Sequence, residues 1–311
     1  MIQLKEIKKQ FDDIFTQVGR VVIGQDEVLK QVLIGLLCDA NVLLEGYPGL
    51  AKTLSVRTLA QLMDLKFSRI QGTPDLMPSD ITGTYIIEEA GGKKVFKFQE
   101  GPIFANIVLM DEINRATPKA QSALLEAMQE KQVTVGNKTF KLDRPFFVLA
   151  TQNPIEQTGT FNLPEAQSDR FLLKVRVGYP SPQEELEIIN QYTEILKDPD
   201  FRPILSKDAL LQLQGLVRKV PVANDIKSFI VDLITKTRNR KELIAYGASP
   251  RASIGLTLAA KAKALIEGRD YVNKEDVKTM AYPVLRHRLL LNFEAERNNF
   301  TDDDVIKYLL K

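Results

Sequence analysis

Lys52 and Thr53 close the stretch GYPGLAKT, Asp111 and Glu112 close the apolar run IVLM, and Asn153 follows FFVLATQ. A lysine and a hydroxyl behind a glycine-containing loop are groups suited to phosphates and a magnesium ion. Two adjacent carboxylates nearby can divide the remaining work: Asp111 can hold the metal through its water shell, and Glu112 can orient and deprotonate a water. An amide at Asn153 could position that water or touch an outer phosphate, although a turn residue before Pro154 explains an asparagine almost as well.

The loop residues Gly46, Tyr47, Pro48, Gly49, Leu50, Ala51, Lys52 and Thr53, with Leu54 behind them, lie between an apolar run and a helical pattern. In that setting backbone N–H groups and the helix dipole wrap an anion, and Lys52 reaches the outer phosphates. Ala51 stands where the general pattern has glycine. Its methyl is tolerated if position 51 already has helical geometry, with Gly46 and Gly49 supplying the special turns.

Two arginines are oddly placed for stability. Arg251 follows Ser249 and Pro250 and so falls in the first turn of a helix, where a cation faces the positive end of the dipole. A bound anion would remove that penalty, and snorkelling to solvent is the competing reading. Arg170, in LPEAQSDRFLLKV, precedes a strand and either pairs with Asp169 or Glu165 or serves as an arginine finger.

The elements that must position these groups alternate. NVLLEG, FSRIQG, IVLMDE, FFVLATQNP and FLLKVRV are short apolar runs suited to strands buried on both faces of a parallel sheet, with helical segments between most of them. This is an α/β pattern, whose chemistry collects beyond the carboxyl ends of the strands. TYIIEEAGGKKVFKF and KQVTVGNKTFKL alternate around Gly91-Gly92 and Gly136-Asn137 and predict two inserted β-hairpins. After about residue 180 the pattern turns helical. Ser181 and Glu184 form a capping box, further helices are predicted from Ser206, Ser249 and Asn273, and no clear strand pattern accompanies them. The expected division is an α/β domain over 1–180, with two N-terminal helices, and a helical domain over 181–311.

Bulk properties exclude several classes. The 311 residues carry 42 basic and 40 acidic side chains, so a net charge of +2 gives no global field toward nucleic acid or membrane. The charged start MIQLKEIKKQFDD is not a secretory signal, VLIGLLCDANVLLEG is too short and too polar to span a bilayer, and Cys38 is the single cysteine. Together these predict a cytoplasmic protein without disulfides or cysteine zinc sites. His287 is the single histidine, so neither a histidine metal cluster nor a Ser-His-Asp triad can form, and a packed or polar helix position is expected for it. KTRNRKEL and TDDDV read as solvated faces or helix caps.

The ordered set VVIGQ, GYPGLAKT, IVLMDEINRA, ATQNP, LPEAQSDRF, GASPRAS and AYPVLRHR resembles the MoxR family of AAA+ ATPases over nearly the whole chain. The resemblance implies an AAA+ P-loop core with a central parallel sheet, two β-hairpin insertions and a C-terminal all-α lid. It implies ATP and Mg2+ as cofactors, with Val22, Ile23 and Gly24 at the adenine pocket and Gln71 as a polar switch residue. Asn153 matches sensor 1, Arg251 matches sensor 2, and Arg170 matches a finger acting on the neighbouring subunit's nucleotide. Ala51 is a family feature on this view. The resemblance further implies a homo-oligomeric ring, commonly hexameric, a chaperone-like remodelling role on protein substrates in maturing protein or metal-containing complexes, and a von Willebrand factor A domain partner as a separate chain. A DNA-acting motor and a nucleotide-gated scaffold with little hydrolysis are the competing functions. The balanced charge disfavours the first, and Glu112 disfavours the second.

Overall fold

The computed structural model describes residues 4–90, 93–154, 160–161, 163–193 and 200–311. Helices α1 (Leu4–Gly19) and α2 (Asp26–Leu37) precede strand β1 (Val42–Gly46), followed by α3 (Lys52–Leu62), β2 (Phe67–Gln71) and a single turn, α4 (Pro78–Thr82). The hairpin β3 (Gly83–Ala90) and β4 (Lys93–Glu100) leads to β5 (Ile107–Asp111), then α5 (Pro118–Glu130) and the hairpin β6 (Gln132–Val135) and β7 (Lys138–Lys141). Strand β8 (Phe147–Gln152), the short α6 (Glu165–Ser168) and β9 (Leu173–Val177) complete the strand-rich part. The remainder is α7 (Pro182–Thr193), α8 (Lys207–Lys219), α9 (Asn224–Asn239), β10 (Ile244–Tyr246), α10 (Pro250–Ile266), α11 (Lys274–Leu285), β11 (Leu290–Leu291), α12 (Phe293–Arg297) and α13 (Asp302–Leu309).

Five strands form one parallel sheet in the order β2-β5-β8-β1-β9. The predicted apolar runs are these strands, and their period of two divides the core. Val42, Leu44, Leu109 and Leu149 face α1, α2, α3 and the C-terminal helices, whereas Leu43, Val108, Met110 and Val148 face α4, α5 and the second hairpin. Because all five strands run the same way, β1, β2, β5 and β8 deliver their last residues to one edge, with Gln71 opposite Asp111 and Glu45 opposite Gln152.

Both predicted hairpins are present as antiparallel pairs, although the Gly91-Gly92 turn of the first lies outside the described residues. Phe98 of the first stacks on Phe140 of the second at 4.3 Å, tying their bases together. Farther out, Ile87 and Phe96 are opposite one another and 62% and 72% exposed.

The helix starts follow their caps. Ser181 and Glu184 exchange backbone-to-side-chain bonds at 2.7 and 3.3 Å, Ser206 and Ser249 cap α8 and α10, and Asn273 forms a capping box with Asp276. The sequence pattern did not reveal the antiparallel pair β10–β11, because three and two residues are too few to show an alternation. TDDDV proves to be the cap of α13, with Asp303 also bound to Arg286 and Arg176. Helix α10, rich in alanine and leucine and buried along most of its length, packs on α1, α2, α8, α9 and α11. The C-terminal helices therefore stand behind the sheet on the α1–α2 side.

Candidate functional site

A cavity of about 460 Å3 opens at the carboxyl edge of the sheet, lined by residues 48–54 together with Arg69, Gln71, Asp111, Glu112, Thr151 and Asn153. Its floor is set by close backbone approaches. Gly46 ends β1 where any Cβ would come within 2.7 Å of Val177, so the first glycine serves packing against β9. Gly49 has φ +82° and makes the turn that only glycine adopts freely.

Ala51 departs from the helical geometry expected of it. It has φ 53° and ψ 18°, in the left-handed region, and α3 begins one residue later at Lys52. The methyl therefore carries a strain of about 1 kcal/mol. Ala51→Gly is expected to be neutral or stabilising by up to ~1 kcal/mol in urea unfolding, whereas a helical residue 51 would make the same change destabilising.

The side chain of Lys52 bends back to donate to the Gly46 carbonyl at 2.7 Å. Burial pulls its ammonium below the usual lysine range, and the carboxylates Asp111 and Glu112 act in the opposite direction. Thr53 and Asp111 line the same cavity. They bring the hard oxygen donors that Mg2+ prefers, and the N-terminus of the 11-residue α3 meets them there. The residues present fit a nucleoside triphosphate with magnesium.

Asp111 and Glu112 are adjacent yet differently held. Asp111 accepts from the Thr151 hydroxyl at 2.6 Å and from Arg69 at 2.7 Å. Glu112 lies in the left-handed region at φ 54° and ψ 54°, a conformation of the kind that concentrates at functional sites at a cost of about 1–3 kcal/mol. Neighbouring backbone fixes it there: Gly72 donates to the Asp111 carbonyl at 2.7 Å, and a Cβ on Gly72 would stand 2.1 Å from the Glu112 oxygen. The Glu112 carboxylate accepts from Gln71 at 2.9 Å and Arg115 at 3.0 Å, and its N–H donates to Thr151 at 2.8 Å.

Arg69, Thr151 and Arg115 were not singled out in the sequence. The first two had a usable signal, since Arg69 is two residues before Gln71 on the same face of β2, and Thr151 is two before Asn153 at the end of β8.

Val22, Ile23 and Gly24 do not line the cavity. Their segment is joined to α7: Tyr192 donates to the Val21 carbonyl at 2.5 Å, Gln191 to the Arg20 carbonyl at 2.6 Å, and the Glu184 carboxyl would stand 2.8 Å from a Cβ on Gly24, whose φ is +74°. Gln25 of the same segment and Leu50 and Lys52 of the loop share a small crevice. Tyr47 stacks on Tyr179 at 4.9 Å.

Arg170 and Arg251 do not line this cavity. The direction of the sheet explains why. Arg170 precedes the first residue of β9 by three positions, so it lies at the amino edge, roughly 17 Å of strand away from the acids. Arg251 stands with it, because α10 is buried behind the sheet and its capping Ser249 donates to Asp169 at 3.2 Å. The two arginines share a shallow recess of about 170 Å3 with Asn41, Met128, Gln129 and Asp169.

His287, just beyond α11, is half-buried, with its Nδ1 enclosed and Nε2 at 3.0 Å from the Phe171 carbonyl. Burial and the neighbouring Arg288 push it well below the usual histidine range, so it is neutral and structural. Among the described residues no helix is long and apolar enough to cross a membrane, and no cluster of His, Cys, Asp and Glu is of a kind to hold a metal by itself.

Comparison with known proteins agrees with this arrangement. Residues 41–173 match the model of the ATPase family associated with various cellular activities (AAA), and residues 236–308 match the AAA lid domain. The chain is 47% identical to chaperone MoxR1 of Mycobacterium tuberculosis, over 95% of this chain and 79% of that protein. It is 30% identical to protein MoxR of Paracoccus denitrificans, covering 91% and 89% respectively. A crystal structure from Cytophaga hutchinsonii, described as a candidate ATPase, superposes with a TM-score of 0.92 at 44% identity, covering 99% of this chain and 95% of that one. The architecture is thus an AAA domain with its lid.

Proposed function

This chain belongs to the MoxR family of AAA+ ATPases, and on that premise we propose that it binds ATP with Mg2+ in the carboxyl-edge cavity and hydrolyses it in an oligomeric ring. The hydrolytic cycle drives chaperone-like remodelling of protein substrates during maturation of protein or metal-containing complexes. The observation that carries the reading is the opposition of two sets of groups: loop and acids at one edge of a parallel sheet, two arginines at the other.

In this account Lys52 and the N–H groups of the loop hold the phosphates, and Val22, Ile23 and Gly24 border the base. Thr53 and Asp111 hold magnesium, Asp111 through water. When bound, magnesium would neutralise charge on the outer phosphates. Glu112 receives the proton of the attacking water, and Asn153 orients that water. Gln71 and Arg115 set the Glu112 carboxylate, which makes Gln71 the switch residue. Arg170 and Arg251 face away from their own cavity and so serve the nucleotide of the next copy, Arg170 as the finger, a role worth about 10³–10⁵ in rate.

We assign residues 1–180 to the nucleotide core and 181–311 to the lid, a hexamer to the ring, and the ATP-containing cytoplasm to its location. A von Willebrand factor A domain protein, as a separate chain, is the partner class proposed.

Mixed rings test the arrangement. Lys52→Ala removes a subunit's own site, and Arg170→Ala removes what it offers its neighbour. Each variant alone is expected to be inactive, and co-expressed rings shown by tagging to contain both should regain ATP hydrolysis. Mixed rings as inactive as either parent would count against a finger acting in trans.

A further inference from the structure

One buried cation links the two exposed arginines. Arg288, whose side chain is 4% exposed, spends four of its five N–H groups on a single strap of backbone and its carboxylate, and the fifth on helix α11. Its Nε donates to Asp169 Oδ1 at 2.7 Å, and its terminal nitrogens donate to the carbonyls of Asp169 at 3.2 Å, Phe171 at 2.6 Å and Leu172 at 2.9 Å, and to that of Val284. Three of these carbonyls flank Arg170 on both sides. His287 adds a second contact to the Phe171 carbonyl.

The other oxygen of Asp169 faces the opposite way. Oδ2 accepts from the Ser249 hydroxyl at the start of α10 at 3.2 Å and lies 3.6 Å from Arg251. A single carboxylate thus ties three things: the strap that carries Arg170, the helix start that carries Arg251, and the last turn after α11 that carries Arg288. A buried ion pair is a costly way to gain stability, since apolar side chains of similar volume often do as well, whereas it does fix one geometry among several. The geometry fixed here is the spacing of Arg170 and Arg251.

We propose that Arg288 and Asp169 are positioning residues that lock Arg170 and Arg251 into one rigid unit presented to the nucleotide of a neighbouring copy. The proposal rests on the reading of Arg170 as a finger in trans. It adds that the lid and the finger strap move together, so that a shift of α10 and α11 carries the finger with it.

The test extends the mixed ring of Lys52→Ala and Arg170→Ala subunits. In that ring the Lys52→Ala subunit supplies the arginines and the Arg170→Ala subunit supplies the working site. Arg288→Met placed on the supplying subunit is expected to cut the recovered hydrolysis at least ~10-fold through kcat, with KM for ATP little changed. The same substitution on the Arg170→Ala subunit should leave the recovery nearly intact. Arg288→Lys, which keeps the charge with three donors in place of five, should fall between. Equal recovery wherever Arg288→Met is placed, or equal loss in both placements, would overturn the proposal, the second outcome marking a purely structural residue. Where Arg288→Met fails to assemble, Asp169→Asn, nearly isosteric and without the charge, carries the same comparison with the same expected asymmetry. Absence of recovery in the parent mixture, which has no change at 288 or 169, overturns the trans reading itself and this proposal with it.

Discussion

Glu112→Gln should bind ATP as well as the unaltered protein and hydrolyse it at least ~100-fold more slowly, the scale of a lost general base. The substitution keeps the size of the side chain and the left-handed backbone that Gly72 and Thr151 support. One side-chain oxygen remains to accept from Arg115 and Gln71. What disappears is the group able to take a proton. Asp111 does not replace it, because its two oxygens are engaged by Thr151 and Arg69. Calorimetry reads the binding and phosphate release reads the turnover. Turnover at the normal rate would assign the base elsewhere.

The second large effect is expected at the loop. Lys52→Ala should weaken ATP binding by ~100-fold or more, as the loss of charge-assisted hydrogen bonds worth about 1.5–3 kcal/mol each implies. The local charges make the expectation stronger. Asp111 and Glu112 line the cavity that must receive the polyanion, and Lys52 is the cation that both of them act upon. Removing the ammonium leaves two carboxylates facing the phosphates without that compensation. Unchanged affinity by calorimetry would remove the phosphate-loop assignment, even with the protein folded and the strands in register.

The parts legible in the sequence are those where a short segment determines its own geometry. GYPGLAKT between an apolar run and a helix, a pair of acids ending a buried strand, Gly136-Asn137 between alternating runs, and Ser or Asn before a helix each carry a local physical reason for their structure. The left-handed backbone of Ala51 breaks the helical expectation for its position, and that of Glu112 is set by a contact distant in sequence. Glu112 answers to Gly72, forty residues earlier in the chain. The bond from Arg69 to Asp111 became visible only once β2 was known to lie beside β5, which the order of elements along the chain does not reveal.

Arg170 is the instructive case. Its position just before a strand was plain, and in a parallel sheet with the acids at the strand ends that position alone puts it at the opposite edge. Strand direction by itself separates Arg170 from Asp111, Glu112 and Asn153. Arg251 required more, since its location depends on how α10 is buried against α1 and α2.

In the proposed ring, each ATP site is completed by the arginines of another copy. The rate of phosphate release per subunit, measured across a dilution series with sedimentation followed in parallel, tests it most directly. Turnover per subunit should collapse over the range in which rings dissociate. A turnover that stays constant in samples sedimenting as single chains would contradict it.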